Sequence, residues 1–368
     1  MGDEELYSIA LTKIKGIGNI GAYNLIKSLG SAKAVFDNRL NISDVLGVSS
    51  KHLEEALNSH EALKIAENEI NFIEKNKISC LTLKSENYPS RLRKCDDAPI
   101  VLFYRGNCDL NSLHMISVVG TRNISSYGNV ICTRFVEELS EMVPDCVIVS
   151  GLAYGVDILA HRKALHHGLP TIAVLAHGFD RIYPSTHRKT AIDMMSNGGL
   201  LTEFISGTRP EKHNFIKRNR IVAGMSDAVV IIQSAIKGGA LITADIADSY
   251  GCECLAFPGG VNEEYSKGCN KLIRDNKAVL VTSAEDVVSS LGWEKKEVKK
   301  EAQGELFPEI SEEERMVINI LLKNPEGMQI NKIVVDADMP VNVISAILFE
   351  LEMKGVVISL VGGVFKLL

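Results

Sequence analysis

The chain has 368 residues, of which 46% are apolar and 23% charged, and its formal net charge is −6. That length predicts two or three globular domains, and the acidic balance excludes nucleic-acid binding through the overall field, so any such binding needs a local basic patch. The start of the chain shows no apolar leader pattern, and no run of uncharged apolar residues is long enough to span a bilayer. These patterns predict a soluble, cytoplasmic protein with no membrane span.

Residues 1–70 read as helical throughout. In IKGIGNIGAYNLIKSL (14–29), Gly16, Gly18 and Gly21 predict a tight turn between two helices, with a weaker echo at Leu46-Gly47-Val48. Such a helix-hairpin-helix unit can aim backbone N–H groups at a phosphate. Glycine turns also simply let helices pack, and that scaffold reading is favoured here. Lys13, Lys15 and Lys27 are the only cations that hint at DNA beside this turn.

Residues 71–292 alternate strand-like and helix-like runs. The strands are expected at ISCLTL (78–83), IVLFYRG (100–106), MISVVG (115–120), CVIVSG (146–151), PTIAVLA (170–176), GLLTEF (199–204), DAVVIIQS (227–234), CECLAFPG (252–259) and KAVLVTS (277–283). The later runs barely alternate, as befits strands buried on both faces. The pattern predicts an α/β domain, a Rossmann-like, doubly wound, mostly parallel sheet with antiparallel additions at its start. Eight cysteines, at 80, 95, 108, 132, 146, 252, 254 and 269, form no C-x-x-C pair and several lie in apolar runs. Buried free thiols are expected rather than zinc ligands or disulfides.

Residues 293–310 are charged and read as a linker. In 311–368, a turn at Met339-Pro340, a helix over 341–354 and two short strands joined at Gly362-Gly363 predict a winged-helix domain.

Ligands of doubly wound sheets bind beyond the carboxyl ends of the parallel strands. The first core strand ends in Gly120-Thr121-Arg122, with Arg122 where a dinucleotide fingerprint places its second glycine. A long cation there denies a cofactor's pyrophosphate its approach and offers a planar group to a phosphate or a base. No cofactor is therefore expected. The next strand ends in Ser150-Gly151, small residues that leave room for a ligand. Farther on, Arg209, Lys212, Lys217, Arg218 and Arg220 stand against Glu211 alone, with Phe215 among them. Cations interleaved with an aromatic suit single-stranded nucleic acid, although a charged run by itself is more often a solvated helix face. Lys237, Gly238 and Gly239 follow a later strand and belong to the same rim. Ser150, Asp157 and His161 resemble a hydrolase triad only superficially, because Ser150 lacks a G-x-S-x-G elbow and the other two are one helical turn apart. His161, His166 and His167 lack the further ligands a metal site needs.

GTRNISSYG, SGLAYGVDILAH, GFDRIYPSTHRK, LLTEF, FIKRNRIVAGMSDAVVIIQS, GGALITADIADSYG, AFPGG and SKGCNKLI occur in the order typical of the DprA/Smf family of DNA-processing proteins, which the chain resembles densely over 70–292. The helical N-terminus resembles that family's helix-hairpin-helix-like (SAM-like) domain, and the tail its winged helix. The resemblance implies a non-enzymatic protein of natural transformation. Such a protein binds single-stranded DNA, dimerises, protects the incoming strand and loads the RecA recombinase onto it. It places the family's strand-binding arginine on Arg122, its lysine and aromatic on Lys212 and Phe215, and its R-N-R motif on Arg218, Asn219 and Arg220. Gly151 and the Gly238-Gly239 loop line the same pocket. The chain departs from the family pattern at Gly238 and Ala240, where serines are usual, at Ile216, where proline is usual, and at His187, where asparagine is common. These departures bear on single hydrogen bonds.

Two other functions compete. Nucleotide phosphoribohydrolases of similar fold carry P-G-G-x-G-T, but Pro258-Gly259-Gly260 here continues Val-Asn-Glu. A duplex-DNA regulator would act through the winged helix, where Arg315, Lys323, Lys332, Lys354 and Lys366 are matched by Glu326, Asp336, Asp338, Glu350 and Glu352. A neutral recognition helix favours a protein-contact or structural role for that domain.

Overall fold

The computed structural model describes residues 2–46, 51–294, 311–324, 327–354, 356–360 and 362–367. The chain divides into two compact units, Met1–Glu297 and Val298–Leu368. The echo expected at Gly47-Val48 and residues 295–310 of the expected linker lie outside the described residues.

The first unit opens with helices α1 (Asp3–Leu11), α2 (Asn19–Leu29), α3 (Ala32–Asp37), α4 (Ile42–Leu46), α5 (Lys51–Leu57) and α6 (His60–Lys75). The turn between α1 and α2 needs Gly16, whose φ of +87° lies in the left-handed region. The apolar faces of α1, α2, α3 and α6 converge on Ile9, Leu11, Ile26, Phe36 and Ile73. The same cluster takes in Ile100, Val101 and Phe103 at the start of the sheet. The helices are therefore a layer over the sheet's antiparallel end and share its core. A buried carboxylate adds to the seam: Glu69 on α6 accepts from the Ser206 backbone N–H at 3.0 Å and from its hydroxyl.

The sheet comprises β1 (Ser79–Thr82), β2 (Val101–Gly106), β3 (Met115–Val119), β4 (Val147–Ser150), β5 (Thr171–Val174), β6 (Gly198–Thr202), β7 (Ala228–Ile231), β8 (Glu253–Ala256) and β9 (Val279–Leu280). Each expected strand is present, most of them shorter by one to three residues at an end, while β6 starts one residue earlier than expected, at Gly198. The order is β1-β2-β6-β5-β4-β3-β7-β8-β9. β1 and β2 pair antiparallel and β2 meets β6 antiparallel, and all other pairings are parallel. Unbroken apolar runs make sense here. Ile116, Val118, Ile148 and Val230 pack on one face, while Met115, Val149, Ile172 and Val229 pack on the other. The intervening helices are α7 (Ser90–Arg93), α8 (Ser126–Met142), α9 (Val156–His166), α10 (Arg188–Met194), α11 (Lys212–Gly224), α12 (Gly239–Ser249), α13 (Lys267–Arg274) and α14 (Ala284–Ser290). The chain runs from β3 to β4 on one side but returns from β6 to β7 on the other. The connections diverge at β3, which opens a crevice at its carboxyl end.

The second unit holds α15 (Glu312–Leu322), β10 (Met328–Gln329), α16 (Ile330–Ala337), α17 (Val341–Met353), β11 (Val357–Leu360) and β12 (Val364–Leu367), with sheet order β10-β12-β11. Its own core includes Val317, Leu321, Ile333, Ile344, Ile347, Leu348 and Leu351. Sequence reading found the last two strands and missed β10. A two-residue strand has no period to detect, and it exists only through pairing with Phe365 and Val364. Lys354 at the end of α17 reaches Glu314 at 2.6 Å, while Ser311 and Glu314 cap α15 reciprocally.

All eight cysteines are free thiols. Among the described residues no His, Cys, Asp or Glu cluster is placed to hold a metal, and no helix is long and apolar enough to cross a membrane.

Candidate nucleic-acid interface

The crevice begins where β3 stops. A Cβ on Gly120 would lie 2.4 Å from Val156 Cγ2 and 2.9 Å from the Gln233 carbonyl oxygen, so only glycine fits. Hydrogen bonds clamp the turn on both sides: Thr121 N donates to Gln233 O at 2.8 Å and Val156 N to Thr121 O at 3.1 Å. Arg122 leaves this rigid turn into the crevice, where its guanidinium carbon lies 5.1 Å from the centre of the Phe215 ring. That is cation–π distance.

The opposite wall is α11. Lys212, Phe215, Ile216, Asn219 and Val222 recur at helical spacing and line the crevice together with Arg218. Lys237, Gly238 and Gly239 close the third side. Gly238 is the N-cap of α12 and brings no side-chain cap, so this helix start presents unsatisfied backbone N–H groups. The cavity measures about 650 Å³. Tyr265, Ile242, Thr243 and Asp157 also line it, and sequence reading passed over them as site residues. The only available signal was weak: Tyr265 sits five residues beyond the Gly259-Gly260 pair that follows β8, with no local motif.

Three expected site residues are placed differently from the rest. Ser150 is fully buried and its hydroxyl donates to Val118 O at 2.6 Å, beneath the crevice rather than in it. Gly151 is bare, but not for a ligand: a Cβ there would lie 1.3 Å from Nη1 of Arg218, whose guanidinium already fills the space. Arg220 turns to the other side of α11. There it is buried, pairs with Glu203 and donates to the Asp97 carbonyl. It is a tether between α11, the residue after β6 and the loop before β2, and does not line the cavity.

Arg218 is the crevice's buried cation. Its side chain is only 6% exposed, Nη1 is 3.9 Å from Asp157 Oδ2, and Nε has no hydrogen-bond partner. Burial raises the Asp157 carboxyl above its ordinary range, and Arg218 opposes that rise. A buried guanidinium keeps its proton, so Arg218 stays cationic. Arg122 and Arg218 repel each other across the crevice, which a bound anion would relieve. His161 bonds Thr171 Oγ1 through Nδ1 at 2.7 Å, and burial lowers its pKa to about 3, so it is neutral near pH 7. With Ser150 bonded to Val118 and His161 to Thr171, the two do not form a nucleophile–base pair.

A family model for DNA recombination-mediator protein A matches residues 79–292. The chain belongs to that family. A second model, the DprA winged helix domain, matches residues 301–363. The DNA processing protein DprA of Streptococcus pneumoniae is 37% identical over 214 residues, 58% of this chain and 74% of that protein. Protein Smf of Escherichia coli is 33% identical over 288 residues, 77% and 76% of the two chains. Among solved structures, Streptococcus pneumoniae DprA superposes with a TM-score of 0.58 at 30% identity, covering 74% of this chain and 98% of that one. Helicobacter pylori DNA processing protein A, described for its single-stranded DNA binding mode, gives 0.53 at 30% identity over 58% and 95%. Every residue lining the crevice falls within the span matched by the recombination-mediator model.

Proposed function

We propose that this recombination mediator binds single-stranded DNA in the crevice, acts in the cytoplasm as a homodimer, protects the incoming strand and loads RecA onto it. The observation that carries the DNA part is the meeting of Arg122, Lys212 and Lys237 around Phe215 and an uncapped helix start. The cations would follow successive phosphates, and Phe215 would offer a ring face to a base. Gly239 has open space where its Cβ would project, so a sugar-phosphate chain can approach the backbone there. The Helicobacter pylori relative's single-stranded DNA binding supports the same reading. An enzymatic reading gains nothing from Pro258-Gly259-Gly260. These residues do not line the crevice, and Gly259 N donates to Asn270 Oδ1 at 3.1 Å.

The test is binding of a labelled oligo(dT) of about 30 nucleotides across a salt series, with wild type and Arg122→Ala. Three phosphate contacts predict a slope of log affinity against log salt near −2 for a single strand, and losing one flattens it by about 0.7. Affinity should fall about tenfold or more in the variant at low salt. Equal binding by the two proteins would move the strand away from the crevice.

A further inference from the structure

Phe215 does not end the aromatic surface. The Tyr183 ring packs against it at 6.0 Å between centres and 62° between planes, so Arg122, Phe215 and Tyr183 form a continuous row of planar groups. Tyr183 lies outside the residues that line the crevice and is 45% exposed. Its backbone is fixed, since its N–H donates to His177 Nε2 at 3.2 Å. Beyond it in the same loop, buried His187 is anchored to the Leu152 carbonyl at 2.8 Å and carries Tyr154 edge-on at 4.9 Å. Tyr154 is 48% exposed and follows Ala153 of the crevice wall. Arg188 and Lys189 are exposed along this Asp180–Lys189 segment, while Arg181 is paired with its one carboxylate, Asp180, at 2.7 Å.

Two large rings, each held at its base and open to solvent, bordered by cations, make a surface suited to flat aromatic ligands joined by phosphates. Stacked duplex bases advance by about 3.4 Å per nucleotide. Neighbouring rings 6.0 Å apart suit an unstacked, extended strand better. We propose that Tyr183, with Tyr154 beyond it, is a nucleobase-stacking subsite outside the crevice, so that a single strand leaving Phe215 lays its next bases on these rings. The inference rests on the reading of the crevice as a single-strand site. It adds a path outside the crevice, over the loop after β5 that carries Tyr183 and the loop after β4 that carries Tyr154, and so lengthens the strand held.

Oligo(dT) of about four and about ten nucleotides, spanning the usual range of single-strand sites, would be titrated against wild type, Arg122→Ala, Tyr183→Ala, Tyr183→Phe and Tyr154→Ala. The expected result is that Tyr183→Ala leaves the short strand within about twofold of wild type and weakens the long one about tenfold, the loss of one stacked base. Its salt slope stays that of wild type, because no phosphate contact is lost. Tyr183→Phe retains the ring and should match wild type, and Tyr154→Ala should weaken only the long strand. Equal loss on both strands would make Tyr183 a buttress for Phe215 and overturn the subsite. No loss on either, while Arg122→Ala still weakens both, would overturn the subsite and leave the crevice reading standing. A wild type that binds neither strand, or an Arg122→Ala variant with unchanged affinity, would overturn both together.

Discussion

Gly151 and Arg218 occupy one space. A methyl group at position 151 would sit 1.3 Å from the guanidinium, so Gly151→Ala must push Arg218 off its seat. Asp157, buried and 3.9 Å from that guanidinium, would then lose its counter-charge. Stranding one partner of a buried pair costs about 3–5 kcal/mol, and denaturant titration of Gly151→Ala should show a loss of that order. Strand affinity of the folded fraction should also fall. A variant as stable as wild type would mean that Arg218 has another resting place. Both residues could be singled out from the sequence, Gly151 as a bare turn and Arg218 as part of a basic cluster. Their mutual exclusion could not, because it depends on the turn after β4 meeting the Arg218 side chain of α11.

At the scale of one element, α11 divides its basic cluster between two neighbours. Lys212, Phe215 and Asn219 face the crevice at intervals of three and four, while Arg220 falls on another face and meets Glu203 and Asp97. Arg220→Ala would leave Glu203, already with one unpartnered buried oxygen, without its cation. We expect about 3–5 kcal/mol of destabilisation by thermal or chemical melting, with oligo(dT) affinity of the folded protein within about twofold of wild type. A drop in affinity like that of Arg122→Ala would instead put Arg220 on the strand path, as its R-N-R neighbourhood suggests. The helical period by itself separates 212, 215 and 219 from 220. It does not say which stripe faces the ligand.

For the whole molecule, the two compact units each enclose a core. The helical layer, in contrast, shares Ile100, Val101 and Phe103 with the sheet, so it should melt with the sheet. Calorimetry of the full chain is expected to show two transitions, a larger one for residues 1–297 and a smaller one for the winged helix, whose core is that of a small domain. A chain ending at 297 should keep the larger transition and its affinity for oligo(dT). A single cooperative transition, or loss of binding on truncation, would show that the units depend on each other. The net charge of −6 makes the same point electrostatically, since the cations that matter are local to one crevice.

Much was determined by the sequence alone. Apolar runs without alternation specify strands buried on both faces, helical periodicity specifies what packs over them, and the ordered motifs from GTRNISSYG to SKGCNKLI specify the family. These are local properties, written in periods of two and 3.6 residues and in short turns. Which distant residues meet came from the folded chain: Arg122 with Phe215, Arg218 with Gly151, Arg220 with Glu203, and Tyr183 with Phe215. The strand order places β3 beside both β4 and β7, and that juxtaposition, which no local period encodes, turns separated motifs into one crevice and leaves Ser150 and Arg220 beneath and behind it.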